Sequence, residues 1–303
     1  MAVRTKISAR SLLSAPLGIG RHLAEVTLEL VGAGRRRGSP LTEMQVKESA
    51  SADSWKFPID SRDALQRAIG EIEQSYSIAF APRCGSNYLC ELLTLAGIGR
   101  PTEYFQYDLP HWKVPDIALA VSNVFQQNTV DGVFGAKVAH DHCAWFQSAI
   151  GKITGRNELL GDLLPNHKWL RLVRKDKVAQ AMSLYRAQLT QEWLKWQDDS
   201  KSNGDIPYDF LAIVACYHTV VTAELAWDVY FSEYGIEPLV VTYEDLAERP
   251  HQTVAAIAAY LTLENWRSVE GVDANLRVQR DENTAPLIAQ FRQALIDVGR
   301  LPD

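Results

Sequence analysis

Arg83, Cys84, Gly85, Ser86 and Asn87 stand between an apolar run that breaks at Pro82 and an apolar-periodic stretch that resumes at Tyr88. A strand that enters a helix N-terminus through such a small-residue loop makes an anion site. The unbonded N–H groups of the first helical turn and the positive end of the helix dipole converge on one point. Arg83 adds a fixed charge there, so the ligand is phosphate-like or sulfate-like. Taken alone, the same residues also fit an ordinary turn closed by an N-cap. A nucleoside-triphosphatase loop does not fit: Gly85 leads to Ser86 and Asn87, with no lysine before a hydroxyl residue to hold a metal. A nucleotide held here is expected to do without magnesium. Cys84, beside Arg83 and a helix start, is expected to have a lowered pKa, although a small residue in a tight loop explains it equally.

A second cationic loop, Arg174-Lys-Asp-Lys177, opens another helical pattern and carries Ser183 nine residues beyond Arg174. A nucleotide with phosphates at both ends of its ribose would use both loops. The alternative is a surface helix capped by Asp176, with solvated basic residues. His140-Asp-His-Cys143 contains metal-ligand types, but adjacent side chains point in different directions and no distant pair complements them, so a cap and pocket wall fit better. Trp193 and Trp196 suit either sugar stacking or core packing.

The elements that must position these residues are legible as short apolar runs alternating with helical periodicity. Strands are expected at 76–81, 133–138, 169–173 and 239–242. Helices are expected at about 86–97, 115–127, 141–150, 177–196, 208–233, 251–261 and 284–298. Continuous apolar strands separated by helices indicate an α/β fold, a doubly wound and mainly parallel sheet flanked by helices. In that architecture ligands bind at the carboxyl ends of strands, beside a switch in strand order. Both cationic loops follow strands and should open on the same sheet edge.

The whole chain of 303 residues, 47% hydrophobic, has room for one large domain or two small ones. Its formal charge of −6 argues against general nucleic-acid binding. Continuous apolar stretches such as 210–215 fall short of the roughly 20 residues that cross a bilayer, so no transmembrane segment is expected. Four cysteines without a CxxC pair fit a reduced, cytoplasmic setting without disulfides. Residues 1–40 hold seven Arg or Lys, with an amphipathic stretch over 17–31. They read as an extension, or as a targeting or surface-binding arm. The domain boundary is expected near Gly70, leaving residues 1–70 as the basic extension and 71–303 as the folded domain.

Several spaced motifs agree in order with one known family. Ala81-Pro-Arg-Cys-Gly-Ser-Asn-Tyr-Leu-Cys-Glu-Leu-Leu93, Gly99-Arg-Pro-Thr-Glu-Tyr-Phe-Gln106, Gly135-Ala-Lys137, the Arg174 to Arg186 helix, Gln279-Arg-Asp281 and Gly299-Arg-Leu-Pro302 resemble the trehalose 2-sulfotransferase family. The resemblance covers about residues 75–303. It implies a sulfotransferase fold and a 3′-phosphoadenosine 5′-phosphosulfate co-substrate. It also implies a carbohydrate or glycolipid acceptor and, by analogy, a homodimer; the residues present require no metal. On this resemblance Arg83, Cys84, Gly85, Ser86 and Asn87 hold the 5′-phosphosulfate. Arg174 and Ser183 hold the 3′-phosphate, Arg280 is a further donor contact, and Glu103 is the general base. Chemistry agrees, since a sugar hydroxyl is a poor nucleophile and needs a carboxylate to take its proton. Charge building at the transferring group needs fixed donors, for which Arg83, the loop N–H groups and Lys137 are candidates. Glu103 also fits a first-turn helix residue, and Lys137 a solvated rim lysine.

Departures from the family bear on the acceptor. Asn87 replaces a hydroxyl residue, His140 often an aromatic one, and Arg100 an acidic one near the sugar pocket. A small-molecule kinase or a non-catalytic nucleotide-binding protein is the alternative reading.

Overall fold

Four short apolar runs pair side by side in the computed structural model, which describes residues 59–106, 109, 112, 115–155, 159–193, 206–272 and 284–299. The basic residues 1–40, Trp196 and Arg280 lie outside the described residues. Strands β1 (Gln74–Phe80), β2 (Val133–Val138), β3 (Lys168–Val173) and β4 (Leu239–Thr242) form one parallel sheet in the order β2-β1-β3-β4. The helices are α1 (Ile59–Gly70), α2 (Ser86–Leu95), α3 (Ile117–Asn128), α4 (His140–Thr154), α5 (Leu160–Leu163), α6 (Lys177–Thr190), α7 (Phe210–Tyr234), α8 (Tyr243–Glu248), α9 (Pro250–Tyr260) and α10 (Ala285–Val298). The fold is the expected doubly wound α/β class.

Strand alternation assigns the two faces. Tyr76, Ile78 and Phe80 of β1 join Leu170 and Leu172 of β3 in one buried cluster, covered by Leu89, Leu92 and Leu93 of α2 and by Val254 and Ile257 of α9. Ala79, Phe134, Ala136, Val138 and Trp169 form the opposite cluster with Val121 and Phe125 of α3, Phe146 of α4, and Trp227 and Phe231 of α7. Every residue of β1 is buried, as a central strand covered on both faces must be. Tyr76 crosses under β2 to donate to the Ile98 carbonyl at 2.6 Å. Its ring fills the place a side chain at position 135 would take, 2.3 Å from any Cβ there, so only glycine fits.

α1 lies on the extension side of the boundary expected at Gly70. Its Leu65 and Ala68 are buried with Val121 and Val124, and the Ala64 carbonyl accepts a bond from Ser122. By length and composition α7 is apolar enough to cross a bilayer. Counting continuous apolar runs missed it, because His218, Glu224 and Asp228 interrupt each run. Part of the helix is packed: Trp227 Nε1 donates to the Phe80 carbonyl at the end of β1, and Glu224 pairs with Arg171 of β3 and Lys177 of α6, while Leu211, Val221, Leu225 and Val229 stay exposed. Ile213, Val214, Cys216 and Val220 pack with α6 and with Phe291 of α10. The four cysteines are free and buried.

Candidate active site

The chain visits β2 on one side of β1 and then β3 on the other, so the order reverses between β1 and β3. Their carboxyl ends define a crevice, and the two cationic loops leave from these ends. The first loop is tightly bent. Arg83 and Gly85 both have positive φ, 66° and 87°. Gly85 is the N-cap of α2, and no side chain caps that helix. By contrast α3, α6 and α7 are capped by Asp116, Asp176 and Asp209. The α2 N-terminus thus keeps the electrostatic character that favours an anion.

Lys137, Asn87 and Glu103 meet beside this N-terminus. Lys137 Nζ donates to Asn87 Oδ1 at 2.5 Å and lies 3.0 Å from Glu103 Oε2 and 4.9 Å from the centre of the Phe80 ring. The lysine is 4% exposed, so the expectation of a solvated rim residue is overturned: β2 alternation turns it inward over Phe80. Glu103 is on an irregular segment rather than a first helical turn. That segment is fixed to the sheet edge, because the Thr102 carbonyl accepts the Lys137 N–H at 2.9 Å.

The second cluster is cationic. Arg83 Nε donates to Ser183 Oγ at 3.1 Å, and Arg83 Nη1 to the Trp193 carbonyl at 2.6 Å. Arg174 Nη1 reaches the Arg83 carbonyl at 3.4 Å. Burial lowers the Arg83 pKa, and the charges of Arg174 and Arg186 lower it further. Arg186 is paired with Glu192 at 3.5 Å, and the remaining crowding of like charges is a setting that favours an anion. The Arg83 side chain turns to Ser183, so it links the second loop to the first, whose backbone it shapes. Ser183 faces it because Gln180, one turn earlier on α6, donates to the Pro82 carbonyl at 2.8 Å.

Cys84 does not follow its sequence expectation. Its thiol is fully buried, and burial with the Glu224 charge pushes its pKa up to about 12, outweighing Lys137 and the neighbouring amides. Any contribution from Cys84 to the loop is made through its backbone. α6 ends at Thr190 rather than 196, and Trp193 is exposed. His140 opens α4 with its ring edge-on to Trp227 and Tyr230, while Cys143 is buried in the core. Among the described residues no group of three His, Cys, Asp or Glu side chains could hold a metal.

Sequence reasoning missed Tyr243 and Glu244. A Cβ at Gly85 would lie 2.7 Å from Tyr243 Cδ2, and the Arg174 guanidinium stacks 4.5 Å from the Tyr243 ring centre. Both residues directly follow β4, so applying the carboxyl-end rule to every strand would have found them. A separate cleft of about 530 Å³ runs along α3 from Tyr104 to Asn128 and presents none of the cationic side chains.

A parallel α/β sheet, an uncapped helix N-terminus and a guanidinium cluster at the strand switch describe an α/β protein with the features of an anion site. Residues 75–294 match the family described as Stf0 sulphotransferase, and the chain belongs to that family. It is 27% identical over 220 residues to the trehalose 2-sulfotransferase of Mycobacterium tuberculosis (strain Erdman), covering 60% of this chain and 82% of that protein. It is 24% identical over 260 residues to the trehalose 2-sulfotransferase of Mycolicibacterium smegmatis, covering 72% and 94%. A sulfotransferase structure from Alicyclobacillus acidocaldarius aligns with a TM-score of 0.41 at 16% identity, over 74% of this chain and 94% of that one.

Proposed function

We propose that this sulfotransferase moves a sulfuryl group from 3′-phosphoadenosine 5′-phosphosulfate to a hydroxyl of a carbohydrate or glycolipid acceptor, with Glu103 as general base. One observation carries the reading: Lys137 Nζ bridges Asn87 and Glu103 at the uncapped α2 N-terminus. In this proposal the acceptor oxygen attacks sulfur and its proton passes to Glu103. The bond from sulfur to the 5′-phosphate oxygen breaks, and 3′-phosphoadenosine 5′-phosphate leaves. Lys137 and the N–H groups from Gly85 to Asn87 balance the charge that builds on the bridging and sulfuryl oxygens. Arg83 and the Cys84 to Asn87 loop hold the 5′-phosphosulfate, and Arg174 and Ser183 hold the 3′-phosphate, with Arg280 as a further contact; the bond from Arg83 Nε to Ser183 links the two sites. Trehalose is named as the substrate of both mycobacterial relatives, and a related sugar is the first acceptor to assay.

The test is ligand linkage. 3′-Phosphoadenosine 5′-phosphate at about a hundred times its Kd adds about 2.7 kcal/mol of stability, which raises Tm by several degrees. No shift at millimolar nucleotide overturns the donor assignment. Glu103→Gln keeps that shift and loses turnover by about 10²-fold or more. Turnover is read as sulfated product, by mass spectrometry, from labelled donor and a cell extract. Undiminished turnover removes Glu103 from the base role.

A further inference from the structure

We infer that Glu244 is a positioning residue for the second anion loop: its carboxylate fixes the backbone from which Arg174 presents its guanidinium. Glu244 Oε1 and Oε2 accept the Lys175 N–H at 3.0 and 3.2 Å, and Oε1 accepts the Asp176 N–H at 3.4 Å. These are charge-assisted bonds to the two residues that follow Arg174, stronger than neutral ones. They come from a different strand, so they join the β3 loop to the end of β4.

The turn that carries Glu244 is itself held in place. Thr242 caps α8, its Oγ1 accepting the Asp245 N–H at 3.1 Å and donating to Asp245 Oδ2 at 2.6 Å. Between this cap and Glu244, the Tyr243 ring lies against Gly85 and beneath the Arg174 guanidinium. Of these two consecutive residues, Tyr243 touches both loops and Glu244 the second. Tyr243 sets the spacing of Gly85 from Arg174, and Glu244 sets the path of the chain beyond Arg174. Glu244 directs its oxygens at peptide N–H groups of Lys175 and Asp176, so its carboxylate shapes the loop through the backbone. Asp176 anchors the far end of the same loop, accepting the Ala179 N–H at 3.0 Å and pairing with Arg292 of α10 at 2.7 Å.

The inference rests on the reading of Arg174 as a ligand of the nucleotide 3′-phosphate, and its test separates the two. Calorimetric titrations use 3′-phosphoadenosine 5′-phosphate and adenosine 5′-phosphate, which differ only in the 3′-phosphate. In the wild type the bisphosphate binds more tightly. Glu244→Ala is expected to weaken the bisphosphate about tenfold while leaving the monophosphate within about threefold, since only the Arg174 contact is displaced. Arg174→Ala and the Arg174→Ala/Glu244→Ala pair are expected to bind the bisphosphate equally, because Glu244 acts through Arg174. Glu244→Gln, which keeps one acceptor oxygen and loses the charge, falls between wild type and alanine, and serves alone if the alanine variant does not fold. Wild-type affinity for the bisphosphate in both Glu244 variants overturns the inference, and so does equal weakening of both probes. A wild type that binds the bisphosphate no better than the monophosphate overturns the 3′-phosphate reading itself, and the inference with it.

Discussion

An ammonium group buried on a sheet strand is costly unless its donors are met. Lys137 meets them with Asn87, Glu103 and the face of Phe80. Lys137→Met keeps most of the side chain's bulk and removes the charge. It is expected to leave Tm within a few degrees and nucleotide affinity within a few-fold, and to lower turnover about 10²- to 10³-fold, the scale of losing one preorganised charge donor. Turnover within threefold of wild type would make Lys137 a packing residue. At this scale the sequence was legible where a motif carried the residue: Glu103 and Lys137 were each picked out from separate motifs, but nothing in the sequence paired them as the fold does. It misled where only the local charge pattern was available. Arg83 and a helix start near Cys84 argued for a reactive thiol, but the loop folds the sulfur inward, and desolvation outweighs the nearby positive charge. The pairing of Arg83 with Ser183, 100 residues away, has no local signal at all.

At the scale of elements, all four strands stood out because parallel strands buried on both faces read as continuous apolar runs. The long helices stood out by their periodicity, except α1, twelve residues that the boundary expected at Gly70 had assigned to the extension. α5 and α8 were missed, being four and six residues long, too short to show a period. α8 has a different signature, the cap Thr242 with acidic residues in its first turn, and it delivers Glu244 to the site. α7 shows how one polar residue decides a helix's role. Glu224 is 9% exposed and binds Lys177 Nζ at 2.6 Å and Arg171 Nη2 at 3.2 Å, joining α7 to β3 and to the start of α6. Glu224→Gln leaves those two cations less compensated. It is expected to lower unfolding free energy by about 2 kcal/mol, between the values for exposed and buried pairs. The check is a shifted urea midpoint at unchanged slope. A loss below about 0.5 kcal/mol would show that α7 is held by its apolar contacts alone.

At the scale of the molecule, the opposite end of the sheet sets the response to acid. Ser75 donates its only hydroxyl proton to the Pro165 carbonyl, so the 3.0 Å contact with His167 Nδ1 requires that nitrogen to be the donor. His167 Nε2 is then an unprotonated, buried nitrogen without a hydrogen-bond partner among the described residues. Burial brings the His167 pKa down to about 3. Above pH 6.5 the ring is neutral whether the chain is folded or unfolded, and stability is unaffected. Below it the unfolded chain takes up a proton that the folded one refuses, so stability falls by up to about 1.4 kcal/mol per pH unit until the folded pKa is reached. Asp176 and Asp245, whose pKa values lie below the ordinary 3.8, protect stability only above that value and are lost at lower pH. Between pH 7 and 5 the histidines therefore dominate, His140 adding in the same direction. Urea unfolding at the two values is expected to show a loss of about 2 kcal/mol from His167, absent in His167→Gln. An unchanged pH slope in that variant would locate the acid sensitivity elsewhere. β4 gives the crevice at the other end a different vulnerability. It has four residues, pairs only with β3 in the described sheet, and leaves Val240 56% exposed. Edge strands of this kind are among the first to open locally, yet Tyr243 and Glu244 hang from its last residue. On the proposed reading, fraying of β4 would pull Tyr243 and Glu244 away from the anion loops. An occupant that needs both loops in register closes the sheet's edge from a distance, by the same factor as an open edge weakens its binding.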